Sequence, residues 1–352
     1  MKREKLGNSD IEVSGFCLGT MTFGNQTGED DAHAQIDHAL GAGITFLDCA
    51  EMYPVNPVRA ETAGRSEEYI GTWLARTGRR SEVEIATKIT GKGSVVRDGE
   101  GFSGEIVKRC VDASLKRLQT DVIDLYQLHW PQRGSYSFRQ NWTYNPSGQN
   151  RAETIDHFED VLRGMEEVVR AGKVRAFGLS NETCWGTARW IDTAARTGGP
   201  RVVSVQNEYS LLQRLYDTDM AELSVNEGVT LLSYSPLAAG LLTGKYQNGA
   251  IPAGSRMAVD IASGGKGNLG GRKTERAFGA IDAYHKLASE HGVDPIHMAL
   301  LWQRTRPFHV IPILGATSLP QLEHQLAGLD ALLPDDLIAA IDDVHRAWPM
   351  PC

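Results

Sequence analysis

Short apolar runs alternate with longer amphipathic stretches along the chain. The runs are SGFCLGT (14–20), ITFLDCA (44–50), VEIATK (83–88), VIDLYQLHW (122–130), VRAFGLSN (174–181), VVSVQNEY (202–209), VTLLSYS (229–235) and FHVIPILG (308–315). They are rich in β-branched residues and short enough to be buried strands. Between them the apolar positions recur at helical spacing, as in DAHAQIDHALGAG (31–43), GEIVKRCVDASLKRLQT (104–120) and TIDHFEDVLRGMEEVVRAGK (154–173). Gly41, Gly43 and Gly172 stand where such helices end. Strands alternating with helices read as βαβ units and a parallel sheet. Eight units predict an α/β fold, a closed, parallel eight-stranded (β/α)8 TIM barrel, as one domain over residues 1–352. Two long polar insertions break the rhythm, at 131–153 after the fourth strand and at 236–271 after the seventh. Both follow strands, so both are expected at the carboxyl-end mouth of the barrel, where loops carry function.

Composition narrows the class of partner. The chain has 352 residues, 41% hydrophobic and 23% charged, with a net charge of -8. An acidic balance argues against nucleic acid, though not against an anionic cofactor, which responds to local charge. No apolar run approaches the roughly 20 residues that span a bilayer, and the start, MKREKLGNSDIEVSGF, lacks the apolar core of a signal peptide. The cysteines Cys17, Cys49, Cys110, Cys184 and Cys352 are scattered without a CxxC, which predicts a reducing compartment, most simply the cytoplasm. No set with metal-ligand spacing is found, so no metal is expected: His33 and His38 lie five apart, a poor helical face, and there is no HExxH.

Polar residues gather at the carboxyl ends of the strands. They are Asp48 with Tyr53 on the loop beyond it, Lys88, His129, Ser180 and Asn181, Gln206 and Asn207, and Tyr234 and Ser235. Singly, each has an ordinary explanation: a helix cap, loop packing, a solvated lysine, a hydrogen-bonded histidine. Four such groups at the ends of three consecutive strands point to chemistry. A phenol titrates near 10, and a neighbouring ammonium favours its ionised form. A carboxylate keeps that ammonium charged, and a histidine across the site can bond a substrate oxygen. The set is a proton donor aimed at a carbonyl oxygen. It needs a hydride source, hence a nicotinamide cofactor.

With these residues in view, the chain resembles the aldo-keto reductases almost end to end. The resemblance rests on LGTMTFG (18–24), DCAEMY (48–53), TK (87–88), DLYQLHWP (124–131), GLSN (178–181), QNEYSLL (206–212), YSPLAAGLLTGKY (234–246) and LGATSLPQL (314–322). It is similar to the Tas-like bacterial members through LGTMTFG, AEMYP, LHWPQR and LSNET, and to the β-subunits of voltage-gated potassium channels around SPLAAGLLTGKY. The resemblance implies Tyr53 as acid, Lys88 as the group lowering its pKa, Asp48 as the lysine's partner, and His129 as the group orienting the carbonyl.

The resemblance also implies NADP(H), held in the barrel mouth without a Rossmann unit. Ser180, Asn181 and Gln206, beside Asp48, match positions that hold the nicotinamide amide, and Tyr234 matches the ring that stacks on it. Gly19, Thr20 and Gln26 match contacts from the first loop. Ser235, Pro236, Leu237, Ala238 and Gly240 would run along the pyrophosphate. Lys245 and Arg256 match cations facing the adenosine phosphates, which favours NADP over NAD. Gly315, Thr317 and Gln321 fit the last cofactor segment, but His324 and Gln325 stand where the family usually has Glu-Asn, which leaves the adenine contacts open. GKGNLG (265–270) formally matches GxGxxG, yet no strand precedes it.

Two functions remain in play. The leading expectation is NADPH-dependent reduction of an aldehyde or ketone, with a small-molecule carbonyl substrate. The alternative is an NADP(H)-binding redox sensor or regulatory subunit, as the channel resemblance allows; His129 favours the enzyme, because channel β-subunits typically carry asparagine there. Met52, Trp130, Trp142 and Trp185 are candidates for an apolar substrate pocket, together with Tyr136, Phe138 and Tyr144 of the first insertion. Anchoring of that loop to the barrel is an equal alternative for these aromatics. The substrate itself and the oligomeric state are not legible.

Overall fold

A computed structural model describes residues 1–352. Strands β1 (Arg3–Lys5) and β2 (Glu12–Ser14) form an antiparallel hairpin. The other eight strands are β3 (Cys17–Gly19), β4 (Phe46–Asp48), β5 (Glu84–Ile89), β6 (Ile123–Leu128), β7 (Val174–Ser180), β8 (Val202–Glu208), β9 (Thr230–Tyr234) and β10 (Val310–Gly315). They close in chain order, β10 pairing with β3, and every pair is parallel. This is a (β/α)8 barrel, and each strand falls inside one of the eight apolar runs save β5, which passes the end of its run by one residue, Ile89.

The helices are α1 (Glu29–Gly41), α2 (Arg65–Thr77), α3 (Gly104–Leu118), α4 (Arg151–Arg170), α5 (Cys184–Thr197), α6 (Asp219–Glu227), α7 (Arg256–Ala262), α8 (Glu275–Glu290), α9 (Pro295–Arg304), α10 (Leu319–Leu326) and α11 (Asp335–Ala347). Side chains chosen for the task close several of their first turns. Ser103 Oγ accepts from Ile106 N at 3.3 Å, Asn150 Oδ1 from Ala152 N at 3.0 Å, and Asp294 Oδ1 from Ile296 N at 2.7 Å.

The barrel interior is a small cluster in which Cys17, Phe46, Ala86, Leu125, Ala176, Leu232 and Ile311 meet. One step of the pleat further along, the same faces carry Asp48, Lys88, Gln127 and Tyr234. Side chains two apart share a face of a strand, so a single register places an apolar layer in the middle and a polar layer at the carboxyl-end mouth. The hairpin, which the apolar pattern was too short to reveal, closes the opposite end. Leu6, Ile11 and Val13 belong to the interior cluster, and Ser14 Oγ accepts from Thr45 N at 3.0 Å.

The two insertions do lie at the mouth. The first is irregular apart from one short turn at Gln140–Trp142 and the start of α4 at Arg151, and the second contains α7. GKGNLG follows α7, not a strand.

Helices α3 and α4 meet through a pair of glycines. A Cβ on Gly164 would fall 2.2 Å from the carbonyl oxygen of Gly104, and one on Gly104 would fall 2.3 Å from that of Asp160. Backbone cannot retreat as a flexible side chain can. Gly164→Ala is therefore expected to destabilise the fold by about 1–3 kcal/mol through overpacking, read as a lower midpoint in urea unfolding.

Candidate active site

The mouth of the barrel opens into a cavity of about 960 Å³, at the upper end of the usual range for ligand sites. At its base stands a fully buried lysine. Lys88 Nζ donates to Asp48 Oδ2 and to the carbonyl oxygen of Cys49, both at 2.7 Å, and to Tyr53 Oη at 3.4 Å. Burial alone would pull the ammonium's pKa down; the carboxylate of Asp48 more than reverses this, and the net shift is upward. Asp48 is held in turn by Gln206 Nε2 at 2.7 Å and Gln127 Nε2 at 3.3 Å. Side-chain donors from three strands, β5, β6 and β8, thus converge on the carboxylate of Asp48 at the end of β4.

Tyr53 comes from the loop after β4 and lines the cavity. Its pKa is raised: burial pushes it up, and the ammonium of Lys88 pulls it back only in part. The sequence suggested a net lowering; enclosure of the phenol outweighs the charge. Because Lys88 donates to the phenol oxygen, the phenol's own proton is directed elsewhere. His129 lies edge-on to Tyr53, ring centroids 5.7 Å apart. Burial and the nearby Lys88 charge depress its pKa well below the ordinary value, so it is neutral. Its Nδ1 is buried without a partner.

Around this base the structure places most of the residues singled out for the cofactor. Gly19, Gln26, Ser180, Asn181, Gln206, Tyr234, Ser235, Pro236, Leu237, Gly240, Lys245, Arg256, Gly315, Thr317, Gln321 and Gln325 all line the cavity. Thr20 does not: its hydroxyl bonds the carbonyl of Asp48 at 2.9 Å and Ser66 at 2.6 Å, so it braces the strand end from behind. Ala238 is buried off the wall. The backbone N–H groups of Ala238 and Gly240 close turns onto Ser235 and Leu237, and so are not open to an anion. Asn181, Ser235, Ala238 and Ala239 hold positive φ, between 49° and 58°. Non-glycine residues adopt that region uncommonly. Tyr234 Oη donates to Asn181 Oδ1 at 2.8 Å, joining the ends of β7 and β9.

The outer part of the cavity suits a long anion. Arg256 has no carboxylate partner: it donates from Nε and Nη2 to the amide oxygen of Asn56 at 3.2 Å each. Burial, with Arg272 nearby, pulls its pKa down to about 10. Lys245 also lacks a carboxylate and lies over the ring of Tyr246 at 5.2 Å. Gln325 donates from its amide to the carbonyl of Gly315 at 2.9 Å, and its own oxygen is buried without a partner. An unpaired guanidinium and an orphaned acceptor in one cavity fit a phosphate-bearing ligand that carries an amine. Gln26 Nε2 reaches Gly254 O at 3.3 Å, so the second insertion spans the cavity toward the first loop.

The apolar side of the mouth is a run of rings. His129 and Trp130 have centroids 5.1 Å apart, Trp130 and Phe138 6.2 Å. Met52, Val55 and Val58 complete this wall. Trp142 and Trp185, pocket candidates on sequence grounds, lie off the cavity. Trp142 is 67% exposed and donates from Nε1 to the carbonyl of Cys352 at 3.3 Å, pinning the C-terminus. Trp185 is 42% exposed and packs under Arg133. Anchoring is what these two do. Among cavity residues that strand-end reasoning missed are Met21, Asn56, Val58 and Arg272; they lie on loops, where no periodicity marks them.

A family model described as the aldo/keto reductase family matches residues 16–346. The chain is 42% identical to Protein tas of Escherichia coli over all of this chain and 99% of that one. It is 30% identical to the uncharacterized oxidoreductase YrpG of Bacillus subtilis, over 98% of this chain and 96% of that one. A probable voltage-gated potassium channel subunit beta of Arabidopsis thaliana is also 30% identical, over 99% of this chain and 98% of the other.

The two mouth loops share one anchor. Glu208, at the end of β8, accepts from Arg139 of the first insertion and from Arg272, just beyond the second, the latter at 2.8 Å. All three side chains are buried or nearly so. Glu208→Ala leaves two guanidinium groups without a carboxylate, an expected loss of about 3 kcal/mol. Limited proteolysis should then cut between residues 131 and 150 faster than in the parent.

Proposed function

Because the chain belongs to the aldo/keto reductase family, an oxidoreductase family, we propose that it reduces an aldehyde or ketone to an alcohol with NADPH, Tyr53 donating the proton. The observation that carries this reading is the contact of Lys88 Nζ with both Asp48 and Tyr53 at the foot of the cavity. When bound, the cofactor supplies hydride to the carbonyl carbon. The chain's own residues do the rest. Tyr53 holds a proton at Oη and gives it to the carbonyl oxygen as negative charge builds there. Lys88 carries the compensating positive charge beneath the phenol and stabilises it as it ionises. Neutral His129 orients the carbonyl oxygen by a hydrogen bond. Ser180, Asn181 and Gln206, which line the cavity, would hold the nicotinamide end, and Arg256 and Lys245 the phosphate end.

The wall of Met52, Val55, Val58, Trp130 and Phe138 supports a bulky or aromatic carbonyl as substrate, since it offers apolar contact and excludes water. The five cysteines, all free and four of them buried, accord with the cytoplasm. No helix is long and apolar enough to cross a membrane.

Tyr53→Phe is expected to lower kcat for carbonyl reduction by about 10²–10⁴, the range for a lost general acid, while NADPH binding, followed by protein fluorescence, is retained. Turnover equal to the parent sinks the assignment. The pH dependence has a definite sign. The donor is active while protonated, that is below its pKa, and burial raises that pKa above the ordinary value near 10. The depressed pKa of His129 removes an inflection near 6.5. Reduction at saturating NADPH should therefore run level through the neutral range and fall only at alkaline pH.

Arg256→Leu tests the cofactor assignment. Loss of a charge-assisted bond costs about 1.5–3 kcal/mol, or roughly 10–150-fold in Kd. That weakening is expected for NADPH and not for NADH, measured by titration of fluorescence; equal weakening of both overturns the role given to Arg256.

A further inference from the structure

Away from the base of the cavity, His324 of its outer wall meets Asp294 and His297, neither of which lines the cavity. We propose that Asp294, His297 and His324 form a binding site for a divalent transition-metal ion of the zinc class. Asp294 caps α9 with Oδ1, which accepts from Ile296 N at 2.7 Å and His297 N at 3.3 Å. Its Oδ2 is left to face α10, where His324 Nε2 lies 3.0 Å away. That separation is near the edge, about 3.4 Å, of a tetrahedron with metal–ligand bonds of about 2.1 Å. The rings of His297 and His324 lie side by side, centroids 5.4 Å apart and 27° from parallel. One ligand atom from each of the three residues falls within 4.8 Å of the others.

The surroundings suit this use. His297 Nε2 lies 2.6 Å from the carbonyl oxygen of His324. A carbonyl only accepts, so the proton sits on Nε2 and Nδ1 keeps its lone pair. Fixing one ring nitrogen on a carbonyl is the normal way an imidazole is oriented for a metal. Gly328 gives the ring its room: an added Cβ there would lie 2.2 Å from His297 Nδ1. His324 is half exposed and also lines the cavity, so the ion has access from solvent and keeps an open position for water. Two imidazoles and a carboxylate select zinc, cobalt, nickel or copper over calcium and magnesium, which prefer all-oxygen shells. Nothing in the linear spacing announces the site, because His324 is brought to Asp294 from 30 residues away.

The test is calorimetric titration of the full chain, free of cofactor, with zinc chloride, and a parallel titration with cobalt(II) followed by visible absorption. One ion per chain is expected. His324→Gln and His297→Gln should each weaken binding at least tenfold, on the order of the effect of losing even an outer-shell partner, whereas His291→Gln, outside the cluster, should leave it unchanged. His324 is exposed enough that its variant should keep the parent's melting temperature in the absence of metal. Failure of the parent to bind either ion, a cobalt spectrum dominated by thiolate absorption, or parent-like binding by His324→Gln overturns the proposal.

Discussion

A charged ammonium at the floor of a protein cavity is costly, and much of the mouth is arranged around that cost. Lys88 is fully excluded from solvent. Removal of such a charge from water costs several kcal/mol unless partners replace the water. Asp48 and the Cys49 carbonyl do so, and Gln206 and Gln127 hold Asp48 in its turn. These groups come from β4, β5, β6 and β8, so the barrel must be closed and in register before the charge is satisfied. The longest of the lysine's three contacts is the one to Tyr53. The phenol is thus near enough to feel the charge, yet loosely enough held for its proton to face the cavity.

The floor is rigid, while the walls above it are hung from loops by ion pairs. Glu208 ties Arg139 to Arg272, Glu182 takes Arg133 in two bonds, one of 2.9 Å, and Trp142 fastens the C-terminus to the first insertion. These contacts bring together segments far apart in sequence. Here the buried charged set sits at strand ends and the apolar wall on loops, the division expected of this architecture.

That division also explains what was legible beforehand. Asp48, Lys88, Gln206 and Tyr234 were readable because a strand that must be buried has one place for a polar residue, its end at the mouth. The eight strands were readable for the same reason. The hairpin at residues 3–14 was not, since two three-residue strands leave no periodic trace. Trp142, in a mouth insertion, and Trp185, in α5, misled because an aromatic residue near the mouth has two uses, lining and anchoring, and only the path of the chain decides between them. Thr20 misled more subtly: its position is right, but its hydroxyl turns back toward Asp48 and Ser66. Arg272 and Glu208 form a pair across loops, which no local pattern encodes.

Charge pairing separates structural cations from those that await a ligand. Arg133, Arg139, Arg272 and Lys88 all sit near the mouth and all have carboxylate partners. Arg256 and Lys245 have none. Burial with an amide and a thioether for company, Asn56 and Met21, lowers the pKa of Arg256, which means that the fold holds it at a cost in free energy. Such a cost persists where an incoming anion offsets it. The overall charge of -8 is therefore a poor guide to what this cavity attracts. The chain is acidic as a whole and locally basic in this cavity, where two positive charges are left unanswered.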